Sequence, residues 1–186
     1  WKSNLWGKPL NTWDMLATNL GFSIAFIDGL KKLNFKPTEN EINGTLHLWK
    51  YVGYLLGIPE HLLVNTQQEA SNALFLWSRT QKGADDDSRA LAHSLYVEPL
   101  TVRFTNSSLL KSFVYHTNLG YNNEMLGLLT CEKLKIPKTN AIYWIRILKT
   151  LNRINEKITF LSNRSYNKMV KKGYKEQIEV CKLYQK

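Results

Sequence analysis

The sequence predicts an all-α fold in a single multi-helix domain, and three observations carry that prediction. Apolar residues recur at spacings of three and four, helix-capping signals stand at regular intervals, and strand signals are weak throughout. At 186 residues the chain is long enough for one domain with its own core. Six tryptophans and 44% apolar residues exclude a disordered chain. No internal repeat or low-complexity tract is present.

The elements follow from their punctuation. Asn11 or Thr12 caps a first helix running to about Leu33, with Asp14 in its first turn. Thr38 and Glu41 form a capping box that opens a second helix, and Gly57 and Pro59 end it. Thr66-Gln67-Gln68-Glu69 is a second capping box, opening a third helix through Leu74 and Trp77 to about Gln81. Gly83 to Asp87 is a polar turn; its three aspartates lack the spaced acceptors and glycine of a calcium loop and read as an N-cap. A fourth helix covers about Ser88 to Tyr96. A fifth runs from Ser107 or Ser108 to near Gly120, and a short sixth from about Asn123 to Lys133, before Pro137. A long helix from Lys138 to about Ser162 carries Ile142, Ile145, Leu148, Leu151, Ile154, Ile158 and Leu161 on or near one face. A final basic segment follows.

The second helix is the most informative. Ile42, Leu46, Trp49, Gly53 and Leu56 form one apolar stripe, and His47, Tyr51 and Tyr54 form another beside it. A helix apolar on two faces is usually buried, so His47 is expected inside. A buried imidazole has two readings: a neutral core histidine with one hydrogen bond, or an axial metal ligand. Helical side chains lean toward the N-terminus, which places His47 over the turn holding Gly44. The absent side chain there leaves room for something flat, and a porphyrin is flat. His61, in a loop after Pro59-Glu60, is expected exposed; His93 and His116 read first as structural core histidines.

Charge is unevenly distributed. Residues 1–131 carry 11 basic and 11 acidic side chains, whereas residues 132–186 carry 14 basic and 4 acidic, so the whole excess of +10 lies in the C-terminal part. That points to an anionic surface or to a solvated basic helix pair. No apolar run approaches the roughly 20 residues needed to span a bilayer, no signal peptide stands at the start, and Cys131 and Cys181 read as two unrelated thiols. The expected location is cytoplasmic, with peripheral membrane contact. The chain starts without Met and with Trp6 already inside a motif, which implies upstream sequence.

Several chemistries lack their motifs. There is no G-x-S-x-G elbow, no G-x-x-x-x-G-K, no G-x-G-x-x-G, no H-E-x-x-H and no E-x-x-H.

Two blocks resemble a known family. W-G-K-P-L-N-T-W-D-M-L-A-T-N-L-G-F-S (Trp6 to Ser23) and H-L-W-K-Y-V-G-Y-L-L-G-I-P (His47 to Pro59) are similar to the corresponding blocks of the rubber oxygenase (latex-clearing protein) and MpaB-type oxygenase family. The likeness covers most of residues 5–137, with family-like features at Glu69-Ala70 and Leu119 to Pro137. It implies an all-helical haem-binding bundle holding haem b, with His47 as the proximal iron ligand and Gly44, Lys50 and Tyr51 on the cofactor side. Asp14, Ala17 and Thr18 map to the distal side; Thr18 matches, while Asp14 and Ala17 replace the basic residues of rubber-cleaving members. Asp14 and Thr18 are therefore the candidate catalytic residues. Family members extend upstream of the first block by several helices, which this chain lacks along with any carboxylate they supply. The implied activity is oxidative cleavage of a carbon–carbon double bond in an isoprenoid-like hydrophobic substrate by dioxygen. Phe22, Phe26 and Trp49 suit a substrate tunnel and equally an ordinary core, the reading preferred for most such residues.

The resulting division is 1–137, the family-like core, and 138–186, basic C-terminal helices packing on the same domain. Two alternatives stand beside the oxygenase: a haem-free helical interaction module and a nucleic-acid-binding helical protein, the latter disfavoured. Tyr143, Trp144, Ile147 and Phe160 interleave with Arg146, Lys149, Arg153 and Lys157, which suits an anionic membrane surface.

Overall fold

The structure, a computed structural model, describes residues 2–7, 10–103, 105–160 and 162–183. Lys8, Pro9 and Leu161, and the side chains of Trp6 and Phe160, which entered the sequence reading, lie outside the described residues. The fold is an all-α single domain with no strand among the described residues. Its helices are α1 (Ser3–Trp6), α2 (Thr12–Leu20), α3 (Phe26–Lys32), α4 (Glu39–Leu55), α5 (Gln67–Thr80), α6 (Asp86–Thr101), α7 (Ser108–Leu126), α8 (Leu128–Lys133), α9 (Ala141–Phe160) and α10 (Asn163–Leu183).

Local chemistry explains most boundaries. Asn11 accepts from the Asp14 N–H at 2.9 Å and starts α2. The expected first helix is one rod, α2 plus α3, joined by a π-helical turn at Gly21–Ala25. Inside that wide turn the Ser23 hydroxyl donates to the Asn19 carbonyl at 3.0 Å. The rod ends at Asn34, whose φ of 66° is left-handed. The capping box of α4 is complete: Glu41 N–H donates to Thr38 Oγ1 at 3.3 Å, and Thr38 N–H donates to Glu41 Oε2 at 2.7 Å. In α5 the Thr66 hydroxyl accepts from Glu69 N–H at 3.2 Å, but the Glu69 carboxylate reaches one residue further back, to Asn65 N–H at 2.8 Å.

Two helices run past their predicted ends. α6 continues through Pro99, because a proline two residues before the end removes only one late hydrogen bond, and Val102 N–H still reaches the Glu98 carbonyl at 3.0 Å. α7 runs through Gly120, which is buried. That glycine marks a helix–helix approach, not a stop: a Cβ there would lie 3.0 Å from the Ala141 carbonyl carbon and 3.0 Å from Ile145 Cγ1 on α9. α7 ends instead at Gly127, where φ is 77°.

Two buried clusters form the interior. Leu16, Leu20, Ile24, Ile27, Ile42, Leu46, Ile58, Leu63 and Ala70 join α2 to α5. Tyr96, Leu119, Cys131 and Ile136 join α6, α7 and α8. Polar links tie the halves through the α3–α4 connection: Lys32 Nζ donates to the Met125 carbonyl at 2.7 Å, Asn34 to the Lys149 carbonyl at 3.0 Å, and Asn152 to the Leu33 carbonyl at 3.1 Å. These contacts set the rotation of α9. Ile145 is buried and Leu148 half-buried, while Leu151, Ile154 and Ile158, expected on the same inner face, are about half exposed. The side of α9 that meets the domain carries Lys149, Asn152 and Glu156, whose hydrogen bonds fix which face turns in.

Gly120→Ala is expected to destabilise the fold by about 1–3 kcal/mol, because backbone atoms of α9 have to move. Its urea midpoint should fall below that of wild type with an unchanged slope. Asp85 caps α6 by accepting from the Ser88 hydroxyl and N–H, and these bonds hold its carboxyl below the ordinary carboxylate range. A carboxyl lowered by folding adds stability above its unfolded value and loses it as pH falls through the folded one. Asp85→Asn keeps a capping oxygen and should flatten that acid arm of the stability-versus-pH curve.

Candidate functional site

The candidate site is positioned where α2 meets α4. Asn19 is buried at 5% exposure and donates its carboxamide N–H to the Trp49 carbonyl at 2.7 Å. Gly53 permits the approach, since a Cβ there would lie 3.2 Å from Asn19 Nδ2 and 2.8 Å from Leu63 Cδ2. Ile42, Leu46 and Gly53 face the core. Helical periodicity then turns His47, Tyr51 and Tyr54 away from it.

His47 is exposed, which overturns the expectation of a buried imidazole. The physical reason is one-sided cover. α2, the π-turn and α5 pack on one side of α4, and the other side, bordered by Glu60 and Leu63, leaves Tyr51 58% and Tyr54 61% exposed. Leu56, expected in the buried stripe, is also turned outward. The His47 ring has no hydrogen-bond partner among the described residues.

His47, Lys50, Tyr51, Tyr54, Glu60 and Leu63 line a groove of about 380 Å³. Lys50 Nζ donates to Asn65 Oδ1 at its rim. Gly44 is exposed one turn before His47, and a Cβ there would meet nothing within 4 Å. Glu60 and Leu63 were not singled out from the sequence; they enter because the chain turns back at Pro59 through a short 3₁₀ turn, Glu60–Leu62. His61, in the same turn, is exposed as expected.

The distal candidates are not brought to this groove. Asp14 and Thr18 are exposed, and no residue of α2 lines the groove at His47, so the cavity expected to be shared by His47 and Thr18 is not formed there. The reason is the rotation of α2, which presents Asn19 to α4. The Thr18 hydroxyl donates to the Asp14 carbonyl at 2.9 Å, and the Asp14 carboxylate accepts from the Trp77 indole at 3.0 Å and from the Asn11 side chain. Ala17 is buried in the core. Asn19, which sequence reasoning passed over, does the joining; an Asn on the same helical side as Leu16 and Leu20 was its signal.

The aromatic expectations also shift. Phe22 and Phe26 are 59% and 55% exposed, so neither is core. Phe22 stacks on Trp49 with ring centroids 5.2 Å apart, held out by the π-turn. Phe26 lines a separate cavity of about 270 Å³ with Leu30, Phe35, Tyr166 and Met169, none of which borders the His47 groove. His93 and His116 are exposed edge partners of Tyr96 and Tyr115, not core histidines.

Among the described residues no group of three or more His, Cys, Asp or Glu side chains could hold a metal ion. A metal at His47 would therefore draw its other ligands from a cofactor. The residues fit one side of such a planar group: an unpartnered imidazole, an open glycine turn beside it, and flanking tyrosine rings.

The family model described as ER-bound oxygenase mpaB/B'/Rubber oxygenase, catalytic domain, matches residues 3–152, and the chain belongs to that family. The match supports an oxygenase-type function, with dioxygen and a small-molecule substrate. It reaches beyond residue 137 into α9, leaving the end of α9 and all of α10 outside. No curated protein and no solved structure matches the chain. No helix among the described residues is long and apolar enough to cross a membrane.

Asp14→Ala removes both the Trp77 partner and an acidic first-turn residue of α2, and is expected to cost about 1–2 kcal/mol of stability. Thermal melting checks the loss, and near-UV circular dichroism should report the freed Trp77 ring.

Proposed function

We propose that the chain is a haem b-dependent oxygenase that cleaves or oxidises a carbon–carbon double bond in an isoprenoid-like hydrophobic substrate, with His47 as the protein's ligand to the iron. One observation carries this reading: the His47 imidazole has no hydrogen-bond partner among the described residues and stands on an open helix face beside Gly44, where a Cβ would meet nothing within 4 Å. A glycine inside a helix costs about 0.5–1 kcal/mol relative to alanine, and here the chain itself supplies no steric reason for it. When bound, haem supplies the iron at which dioxygen is activated.

The chain's own residues have separate tasks in this reading. His47 would hold the iron through a ring nitrogen, and Gly44 would leave room for the macrocycle. Tyr51 flanks the ring, and the Lys50 ammonium at the groove rim suits an acidic substituent. Cleavage balances without an outside reductant: one double bond and one dioxygen give two carbonyls, each keeping one oxygen atom. An apolar substrate of this kind partitions into membranes, so delivery from a membrane surface accompanies the reading. The distal roles of Thr18 and Asp14 rest on resemblance alone; their polar groups serve α2 and α5 here.

A haem-free interaction module is the second reading, favoured by the exposed apolar residues Leu48, Tyr51, Tyr54 and Leu55 on the same helix. Haem titration separates the two. The oxygenase reading expects a Soret band at one haem per chain, lost in His47→Ala. Gly44→Ala should raise apoprotein stability by about 0.5–1 kcal/mol and weaken haem binding about tenfold or more. A wild-type chain that takes up no haem, or a His47→Ala variant with an unchanged spectrum, would overturn the assignment.

A further inference from the structure

We propose that α10 docks the protein on an anionic membrane surface, lying in the interface with its apolar side toward the acyl chains. Every residue from Asn167 to Lys182 is exposed; of these, Met169 also borders the cavity beside Phe26. At about 100° per residue, Met169, Val170, Tyr174, Val180 and Cys181 gather on one side of α10. Arg164, Lys168, Lys171, Lys175 and Lys182 gather on the opposite side. Met169, Val170, Tyr174 and Val180 are 40–66% exposed. Tyr166 and Met169 at the start of this side border the domain; beyond them Tyr174 and Val180 stand in water, and a lipid surface would satisfy both sides at once.

The cations are available for the task. Among the described residues, Arg164, Lys168, Lys171 and Lys182 have no acidic partner, and Arg164, Lys168 and Lys171 line a continuous groove with Asn167. Only Lys172 and Lys175 are shared, with Glu176 and Glu179 one turn on. α9 differs, although the sequence pointed there first. Its Arg146 and Lys149 both pair with Glu124, and Arg146 also lies over the Tyr143 ring at 5.9 Å. Arg153 and Lys157 of α9 are exposed without an acidic partner among the described residues, and α10 adds four such cations on one side.

Other occupants fit less well. Nucleic acid would use the basic side and leave the apolar side in water. A second copy of α10 would need interlocking side chains along a seam, but Gly173 and Gln177 stand in the middle of the apolar sector.

The full chain provides its own probe. Cys131 is buried and Cys181 exposed, so a fluorophore placed on Cys181 sits on the side expected to enter the lipid. With phosphatidylcholine–phosphatidylserine vesicles at physiological salt, its emission should shift to the blue and the protein should co-sediment. Lys168→Glu with Lys171→Glu should lower vesicle affinity at least about tenfold. Tyr174→Asp with Val180→Asp should abolish the blue shift, and circular dichroism should show helix retained in both. Three results would overturn the proposal: equal binding to pure phosphatidylcholine, tighter binding to duplex DNA at the same salt, or a dimer that the Tyr174 and Val180 changes dissociate while vesicle binding persists.

Discussion

The hydrogen bond from Asn19 to the Trp49 carbonyl is the joint on which the N-terminal half depends. A carboxamide in an apolar interior is stable only with its partner in place. Here the partner is a main-chain carbonyl inside a second helix, so the bond fixes the rotation of α2 against α4 as well as their distance. Gly53 makes the distance short enough. Once that rotation is fixed, the rest of α4 has no freedom. Ile42 and Leu46 go inward, and His47, Tyr51 and Tyr54 go outward. The exposure of the candidate ligand is a consequence of how one asparagine is satisfied on the other side of the helix.

The second half is organised around a comparable approach, with α7 and α9 touching at Gly120. What unites the halves is polar: side chains of the α3–α4 connection and α9 bond to each other's backbone carbonyls, at Lys149 and at Leu33. Such bonds are directional, whereas apolar contact tolerates sliding. They decide why Ile145 is buried while Leu151, Ile154 and Ile158 on the same helix are not.

Local signals were legible because they are carried by neighbours in sequence. Asn11, Thr38, Thr66 and Asp85 each start a helix by accepting from an N–H three residues ahead, and nothing distant can undo that. The two motif blocks were equally readable. What failed depended on cover. The second apolar stripe of α4 implied a buried histidine, but burial belongs to the partner surface as much as to the helix. The same gap misplaced Phe22, Phe26, His93 and His116 as interior residues. The expected pocket shared by Thr18 and His47 required the relative rotation of two helices, and no periodicity within either one encodes that.

The π-turn at Gly21–Ala25 has a consequence for how this helix tolerates change. A π-turn holds one residue more than an α-helix of the same length requires. Straightening all five residues to α geometry, with none lost, would rotate everything beyond by about 100°. Leu16 and Leu20 on one side, or Ile27 on the other, would leave the core they now share. The segment therefore has two angular phases stitched together, and a comparison that assumes one unbroken helical repeat loses register at Phe22.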